Sequence, residues 1–498
     1  MTATAAPARA ETGPGPGGRS APAAPADPAP LERLLGWCTA LVGVGIGGGV
    51  LADNSFLTHL ATGRVILDSG VPHHDVFAWT SRGAPVVVQS WLASALYAGV
   101  EELAGLGGLR TLFAATVGLL AWLLWRSTAG AGLPGRVVAV ALVCAIGSRY
   151  WTERPLLLGL VALTLVVIVE RRDEGGVGVL ALVGALWIKV HGSWPLGVVW
   201  LAAAAVGAAV DTREAEGRWS LSAPVERRLR GLGALAAGVV VGGLVDPYAG
   251  RLLVFPLALL GRGEILARVA EWRAPTFTST PERLFLVLAA AGVVALVRRP
   301  RWREGLPVLV LVGAALMSRR NIPVACVGLA PLVARGLPLP AGLPLGSSRL
   351  VGRAATVVAV AAVILALVGP RPPHLALDAY PVEAVDALET AGLVPGDTVR
   401  LAHTDRVGNY LEFRFGPTAP AFVDDRYELH SAELMDDYLS LVDADPRWET
   451  VLGRWGIDAL LWEDDTALVA LARSAGWREL YRDERWVVLC RPDDPICP

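Results

Sequence analysis

Apolar residues run along most of this chain in long uninterrupted blocks, unlike the short alternating blocks of a soluble domain. Residues 1–32 are rich in Ala, Pro and Gly, lack apolar periodicity and read as a disordered tail. The first apolar run is Leu35–Ala52. Others follow at about 109–126, 136–148, 155–170, 177–190, 194–210, 229–245, 283–298, 305–317, 323–337 and 350–369. Together they predict eleven membrane-crossing helices. Several are shorter than the roughly 20 residues of a full span, which suits helices that pack on one another around a cavity. Val50-Leu51-Ala52 resembles a leader-cleavage site. The run starts late for a leader, however, and polar chemistry follows it at once, so the reading is a signal anchor.

From about 375 the pattern changes to short mixed elements. Thr398–Ala402, Ala421–Val423, Ile457–Trp462 and Trp486–Cys490 read as strands, and Asp405–Phe415, Ser431–Val442 and Thr466–Ala475 as helices between them. The predicted architecture is a polytopic α-helical membrane domain (33–370, with a first outer loop at 53–108) followed by a small α/β domain (375–498).

Composition sharpens this picture. Of 498 residues, 53% are hydrophobic and 18% charged, and the mean hydropathy is +0.49. Those values exclude a soluble enzyme, a disordered chain and a collagen-like one. Lys189 is the single lysine, so nearly all 44 cations are arginines. The net charge of −2 hides a split, with −14 from Leu375 onward and +12 before it. Arg171-Arg172, Arg227-Arg228-Arg230, Arg298–Arg303 and Arg349–Arg353 fall on one side if the first span exits at Asp53 and Gln89–Leu103 does not cross. The positive-inside rule makes that side cytoplasmic. The Glu101-Glu102 pair suits a helix lying at the opposite interface. The expected placement is multi-pass in the plasma (inner) membrane, with the N-terminus cytoplasmic and the C-terminal domain outside.

The first outer segment, Asp53-Asn54-Ser55-Phe56-Leu57-Thr58-His59-Leu60-Ala61-Thr62-Gly63-Arg64, holds the densest polar chemistry. It continues through Val71-Pro72-His73-His74-Asp75 to Gln89-Ser90-Trp91-Leu92. Asp53 stands where the first helix leaves the bilayer. A carboxylate at that depth meets a reduced dielectric, which makes it a better base; the alternative is that it only caps the next helix. Arg149, Arg154, Arg319 and Arg320 lie at outer helix ends, against the positive-inside trend, where bidentate contact with a lipid phosphate accounts for them. Headgroup anchoring, or pairing with Glu153, is the other reading. His191 and Lys189 mark another outer helix end, and Glu271 sits in an outer loop.

The order of these features resembles the GT-C superfamily, membrane glycosyltransferases that use polyprenyl-phosphate-linked sugars. More narrowly, it resembles a bacterial group with an Asp-rich exit from the first helix, a Trp-His-Leu-x-x-Gly helix, His-x-Asp-x-Phe and then His-Glu-Trp-Leu. Here Phe56 replaces the tryptophan, Thr58 precedes His59, and Gln89-Ser90 replaces His-Glu, so the segment lacks the second carboxylate. Arg154-Pro155, Trp187-Ile188-Lys189-Val190-His191-Gly192, Asp246-Pro247-Tyr248, Glu271-Trp272 with Pro275, and Arg319-Arg320-Asn321-Ile322-Pro323 follow in the group's order. Phe422-Val423-Asp424-Asp425-Arg426 and Tyr438 are similar to its outer domain.

The resemblance implies an outer-leaflet transferase that moves a sugar from a polyprenyl-phosphate donor to a cell-envelope glycan, lipid or protein. In it Asp53 is the catalytic carboxylate, and Arg319, Arg320 and Arg154 take the donor phosphate. His59, His74, Asp75, His191 and Glu271 bind substrate. The reading from another class is a non-catalytic scaffold or lipid-linked-glycan transporter, which the glutamate missing at Gln89-Ser90 and the Lys189 departure favour. His73, His74 and Asp75 with Asp53 offer ligands for a divalent cation, or they form a plain solvated loop. The acidic pairs Asp424-Asp425 and Asp464-Asp465 read as solvated surface or helix caps. Cys38, Cys144 and Cys326 fall in spans, whereas Cys490 and Cys497 are placed to form a disulfide. No P-loop, dinucleotide or metal-finger signature is present, and nothing points to nucleic acid.

Overall fold

The computed structural model describes residues 29–172, 176–267, 269–337, 374–394 and 399–492, with Thr2, Arg353, Thr356, Val357 and Val360 as single positions. The expected tail 1–32, the last expected span at 350–369 and Cys497 thus lie largely or wholly outside the described residues. Among the described residues, thirteen α-helices precede residue 337. They are α1 (Ala29–Gly47), α2 (Asn54–Ser69), α3 (Trp91–Ser127), α4 (Leu133–Tyr150), α5 (Leu156–Glu170), α6 (Val177–Val190), α7 (Pro195–Glu216), α8 (Ala223–Leu244), α9 (Arg251–Leu260), α10 (Gly263–Leu266), α11 (Thr280–Arg298), α12 (Trp302–Met317) and α13 (Ile322–Gly336). Among them, α3, α4, α7 and α11 are long and apolar enough to cross a membrane, and α5, α6 and α9 are shorter apolar helices. Helix α9 was not anticipated, because ten residues with a proline at 256 make no span-length run.

Packing explains why short helices persist here. Helix α13 is buried at every position from Ile322 to Ala334. A helix that is apolar all round belongs inside a bundle, and its side chains share a core with Leu120 and Leu124 of α3, Leu160 of α5 and Leu288 of α11. Helix α3 breaks at Gly105, whose φ of 60° and ψ of −160° are open to glycine alone without strain. The break separates the Glu101-Glu102 segment from the apolar run at 109–126, and Glu101 reaches back to Arg64 of α2 at 2.7 Å.

At the other end of the bundle Glu170 of α5 meets Arg228 of α8 at 2.6 Å, both side chains nearly fully buried. Removing one partner strands the other charge, so Glu170→Ala should cost about 3–5 kcal/mol. Thermal unfolding in detergent measures this, and Glu170→Leu combined with Arg228→Leu should recover part of the loss. An unchanged melting temperature in the single variant would show that the pair does not support the bundle.

After residue 374 the chain forms a four-stranded sheet among the described residues, with β1 (Leu401–His403), β2 (Ala459–Glu463), β3 (Arg478–Arg482) and β4 (Trp486–Cys490) in the order β1-β2-β4-β3. Strands β1 and β2 are parallel; β4 runs antiparallel to β2 and β3. The expected helices form at Asp405–Phe415, Ala432–Val442 and Ala467–Ser474, joined by Val382–Thr390 and Trp448–Trp455. Ala421–Val423 is buried but is not a strand, since Ala421 makes only a single bridge, to Ala78 of the first loop. Cys490 is disulfide-bonded, while Cys38, Cys144 and Cys326 are free and buried.

The tail domain sits directly on the segment that follows α1. Leu51 bridges Leu375, Tyr380 Oη donates to Asn54 Oδ1 at 3.0 Å, and Thr80 Oγ1 donates to the Phe422 carbonyl at 2.6 Å. The start of α2, with Asp53 and Ser55, lies at this junction.

Candidate active site

Helix α2 begins at the site. Asp53 is its N-cap, and Oδ1 accepts from the Ser55 N–H at 2.9 Å. The helix is seated by a close approach to α3, where a methyl group on Gly63 would lie 2.0 Å from the Ser94 carbonyl oxygen. One turn earlier His59 Nδ1 lies 3.1 Å from Ser94 Oγ.

Arg154, in the turn between α4 and α5, joins two of the predicted carboxylates. Its Nε donates to both Asp53 oxygens, at 2.9 and 2.8 Å, and Nη1 donates to Glu271 Oε2 at 2.7 Å. The Asp53 side chain is only 6% exposed, against 43% for Glu271. Burial alone would disfavour the Arg154 cation. The two carboxylates outweigh it and hold the guanidinium more firmly protonated than usual. Glu153 accepts from the Asp53 N–H at 3.2 Å. Burial raises its carboxyl above the usual range; nearby backbone N–H groups pull it partway back, and the Asp53 charge adds to the rise.

Arg320 approaches from the 3₁₀ turn between α12 and α13. Its guanidinium carbon lies 4.8 Å from the centre of the Trp272 ring. That ring belongs to the loop carrying Glu271, which is tied to the same turn by Ser318 Oγ donating to the Glu271 carbonyl at 3.2 Å. Burial pulls the Arg320 guanidinium below its usual range, and Glu271, Glu428 and Asp425 lie within electrostatic reach. Among the described residues, none makes an ion pair with it. Arg319, next in the same turn, lies within electrostatic reach of Tyr150 of α4.

His191 follows α6 and is buried, with Nδ1 accepting from the Ser193 N–H at 3.1 Å. Burial lowers it to about 3, with Arg320 and His59 adding to the fall. His59 drops to about 4 by burial, against the pull of Asp53. Both imidazoles are neutral at pH 7 and act as hydrogen-bonding groups. A small cavity beside this cluster is lined by His59, His74, Asp75, Gln89, Arg426 and Glu428. Asp53 and Arg154 stand outside it.

Asp75, which lines that cavity, is held by three donors. Its oxygens accept from the Phe77 N–H at 3.2 Å, Ser81 Oγ at 2.6 Å and Arg426 Nη1 at 3.0 Å. His74 is exposed and makes a backbone bridge with Pro85. The divalent-cation site raised for His73, His74, Asp75 and Asp53 does not form among the described residues, where no three such side chains gather as ligands. The two aspartates are drawn apart into separate ion pairs. Asp246-Pro247-Tyr248 pins the first loop: Asp246 Oδ2 accepts from Trp91 Nε1 at 2.9 Å, and Tyr248 Oη donates to the Pro72 carbonyl at 2.8 Å.

The expectation of a solvated Asp424-Asp425 pair is wrong. Asp424 is fully buried, paired with Arg426 at 2.5 Å and His430 at 3.3 Å. Asp425 Oδ2 accepts from Ser55 Oγ at 2.5 Å. Burial pushes the Asp425 carboxyl up to about 7; the Ser55 hydroxyl and Arg154 oppose this, and Asp424 and Asp405 reinforce it. The available signal was the buried pair Phe422-Val423 just before the acids.

No protein-family model matches the chain, and no curated protein does. Among solved structures, ArnT from Cupriavidus metallidurans bound to undecaprenyl phosphate is similar, at 15% identity and a TM-score of 0.47, over 95% of this chain and 100% of that one.

Proposed function

We propose that this chain is a GT-C-like glycosyltransferase that moves a sugar from a polyprenyl-phosphate donor to a cell-envelope acceptor at the outer leaflet. The observation that carries the reading is Arg320. A half-buried guanidinium, stacked on Trp272 and without an ion-pair partner among the described residues, lies at the end of an apolar bundle beside the Asp53–Arg154–Glu271 chain. A buried cation needs an anion. A lipid-borne phosphate is an anion that reaches a protein at just such a boundary, and guanidinium geometry suits it.

In the reaction, the acceptor hydroxyl gives its proton to a carboxylate of the site and its oxygen bonds to the anomeric carbon, while the bond from that carbon to the phosphate oxygen breaks. The lipid phosphate leaves with the electron pair and is stabilised by Arg320. Arg154 is already neutralised by Asp53 and Glu271, so its part is to hold those carboxylates in place. Asp53 receives the acceptor hydroxyl and aligns it, while His59 and His191 hydrogen-bond the sugar. The tail domain, which meets α2 at Ser55 through Asp425, helps to bind the acceptor.

Binding of undecaprenyl phosphate to the full chain in lipid nanodiscs tests the reading. Arg320→Ala should weaken binding by about tenfold to a hundredfold, the worth of a charge-assisted hydrogen bond, while Arg319→Ala should stay near wild type. Failure of the wild type to bind, or equal binding by Arg320→Ala, would overturn it and favour a scaffold.

A further inference from the structure

The first outer loop has Ser90 where the resembling group has a glutamate, yet the folded chain brings in a carboxylate from elsewhere. Ser55 touches two acids at once. Its N–H donates to Asp53 Oδ1 at 2.9 Å, and its hydroxyl donates to Asp425 Oδ2 at 2.5 Å. Asp425 is fixed from behind as well, because its N–H donates to Asn409 Oδ1 at 3.1 Å and Asn409 Nδ2 donates to the Asn54 carbonyl at 3.3 Å. One acid is held by a guanidinium, with Arg154 Nε on both Asp53 oxygens. The other, among the described residues, makes no ion pair.

We propose that Asp425, carried by the tail domain, is the second carboxylate of the reaction centre and takes the proton of the acceptor hydroxyl, while Asp53 aligns that hydroxyl. This rests on the transferase reading above. The O–H bond of the acceptor breaks and its oxygen bonds to the anomeric carbon. The carbon–phosphate oxygen bond gives its electron pair to the departing phosphate, and the proton ends on Asp425. Two carboxyls in unlike surroundings divide the work, one kept as a fixed charge and the other free to exchange a proton.

The groups around Asp425 set its response to pH. From α2 these are Ser55 and Asp53. The turn before α5 supplies Arg154, and the turn before α13 supplies Arg320. The tail supplies Asp424, Asp405, Tyr380 and Tyr427. Burial dominates and places the carboxyl near 7, so a base there is half-ionised at neutral pH, the range in which general bases work best. Transfer should therefore rise with pH through about 7 and then level off.

The test uses the full chain in nanodiscs, with undecaprenyl-phosphate-linked glucose, mannose, galactose and arabinose as donors and envelope membranes as acceptor. Asp425→Asn should lower transfer by about 10²–10⁴-fold and flatten the rise near pH 7, with undecaprenyl phosphate binding retained. Ser55→Ala removes one stabilising donor from the carboxylate and should move the rise to higher pH. Wild-type transfer matched by Asp425→Asn, or an unshifted profile in Ser55→Ala, would overturn the assignment and leave the transferase reading standing. A wild type that binds no undecaprenyl phosphate and transfers none of the four sugars would overturn both.

Discussion

Asp53→Asn should reduce sugar transfer by about 10²-fold, the cost of misplacing a reacting group, while the protein still expresses and folds. The substitution separates the two roles open to this residue. Asparagine is as good an N-cap as aspartate, so its side-chain oxygen still accepts from the Ser55 N–H that Asp53 Oδ1 holds at 2.9 Å, and α2 starts in the same place. The negative charge is lost, and with it the ion pair through which Arg154 is shared with Glu271. Asp53→Ala removes both, and should add about 1 kcal/mol of destabilisation from the missing cap. Transfer rates of the purified variants, beside their unfolding curves, decide the matter. An Asp53→Asn protein with full activity would mean that the residue only caps its helix.

The bundle was legible because each apolar run ends in residues with a clear physical signal. Pro195 opens α7, Gly105 breaks α3 and Arg298 closes α11. What escaped were elements whose apolar face is short or one-sided. Helix α9 has only ten residues, and β3 is an edge strand of Arg-Glu-Leu-Tyr-Arg, largely solvated, with no alternation to detect. The candidate residues Asp53, Arg154 and Glu271 were each visible as charges at helix ends, but their pairing was not. It joins positions 101 and 117 apart in the chain, and nothing local encodes it. Asp425 was misread for the same reason. An acidic pair on a short domain looks solvated until α2, 370 residues away, is laid against it.

Arg426→Ala should be the most destabilising single change in the tail domain, at about 3–5 kcal/mol. Its guanidinium is shared by three carboxylates that are each almost wholly buried: Asp424 at 2.5 Å, Asp75 at 3.0 Å and Glu412 at 3.3 Å. Asp75 belongs to the first loop, so the cation also fastens the tail to the membrane domain. The three acids do not share it equally. Burial alone would raise Asp424, but Arg426 and His430 outweigh it and hold Asp424 well below the usual range. Burial, with Asp424 adding to it, holds Glu412 well above.

The signs then follow. A carboxyl with a depressed folded pKa contributes stability that is present above its unfolded pKa and lost as pH falls through the folded one. The contribution of Asp424 should therefore fade progressively as pH drops below the unfolded carboxylate range, and be gone where Asp424 itself protonates. A raised pKa such as that of Glu412 works the opposite way, since keeping the proton is what spares a charge in the core. Without Arg426 the buried acids can be accommodated only in their protonated forms, so the penalty in Arg426→Ala should be largest near pH 7 and shrink as the pH drops toward the carboxylate range. Arg426→Lys should recover only part of the loss, because a point-charge ammonium cannot reproduce the planar fork that holds Asp424 through two nitrogens. Unfolding temperature against pH, with limited proteolysis of the tail as a local probe, measures both effects. A variant within about 0.5 kcal/mol of wild type at pH 7 would show that the cluster is hydrated and that apolar contacts alone hold the tail in place. Asp425 lies beside Arg426 in the chain, and Asp425→Asn should remove transfer without destabilising the tail; with no carboxyl raised to about 7, it should lose less stability than wild type as pH rises toward 7. The contrast separates the residue that holds the junction from the one that does chemistry in it.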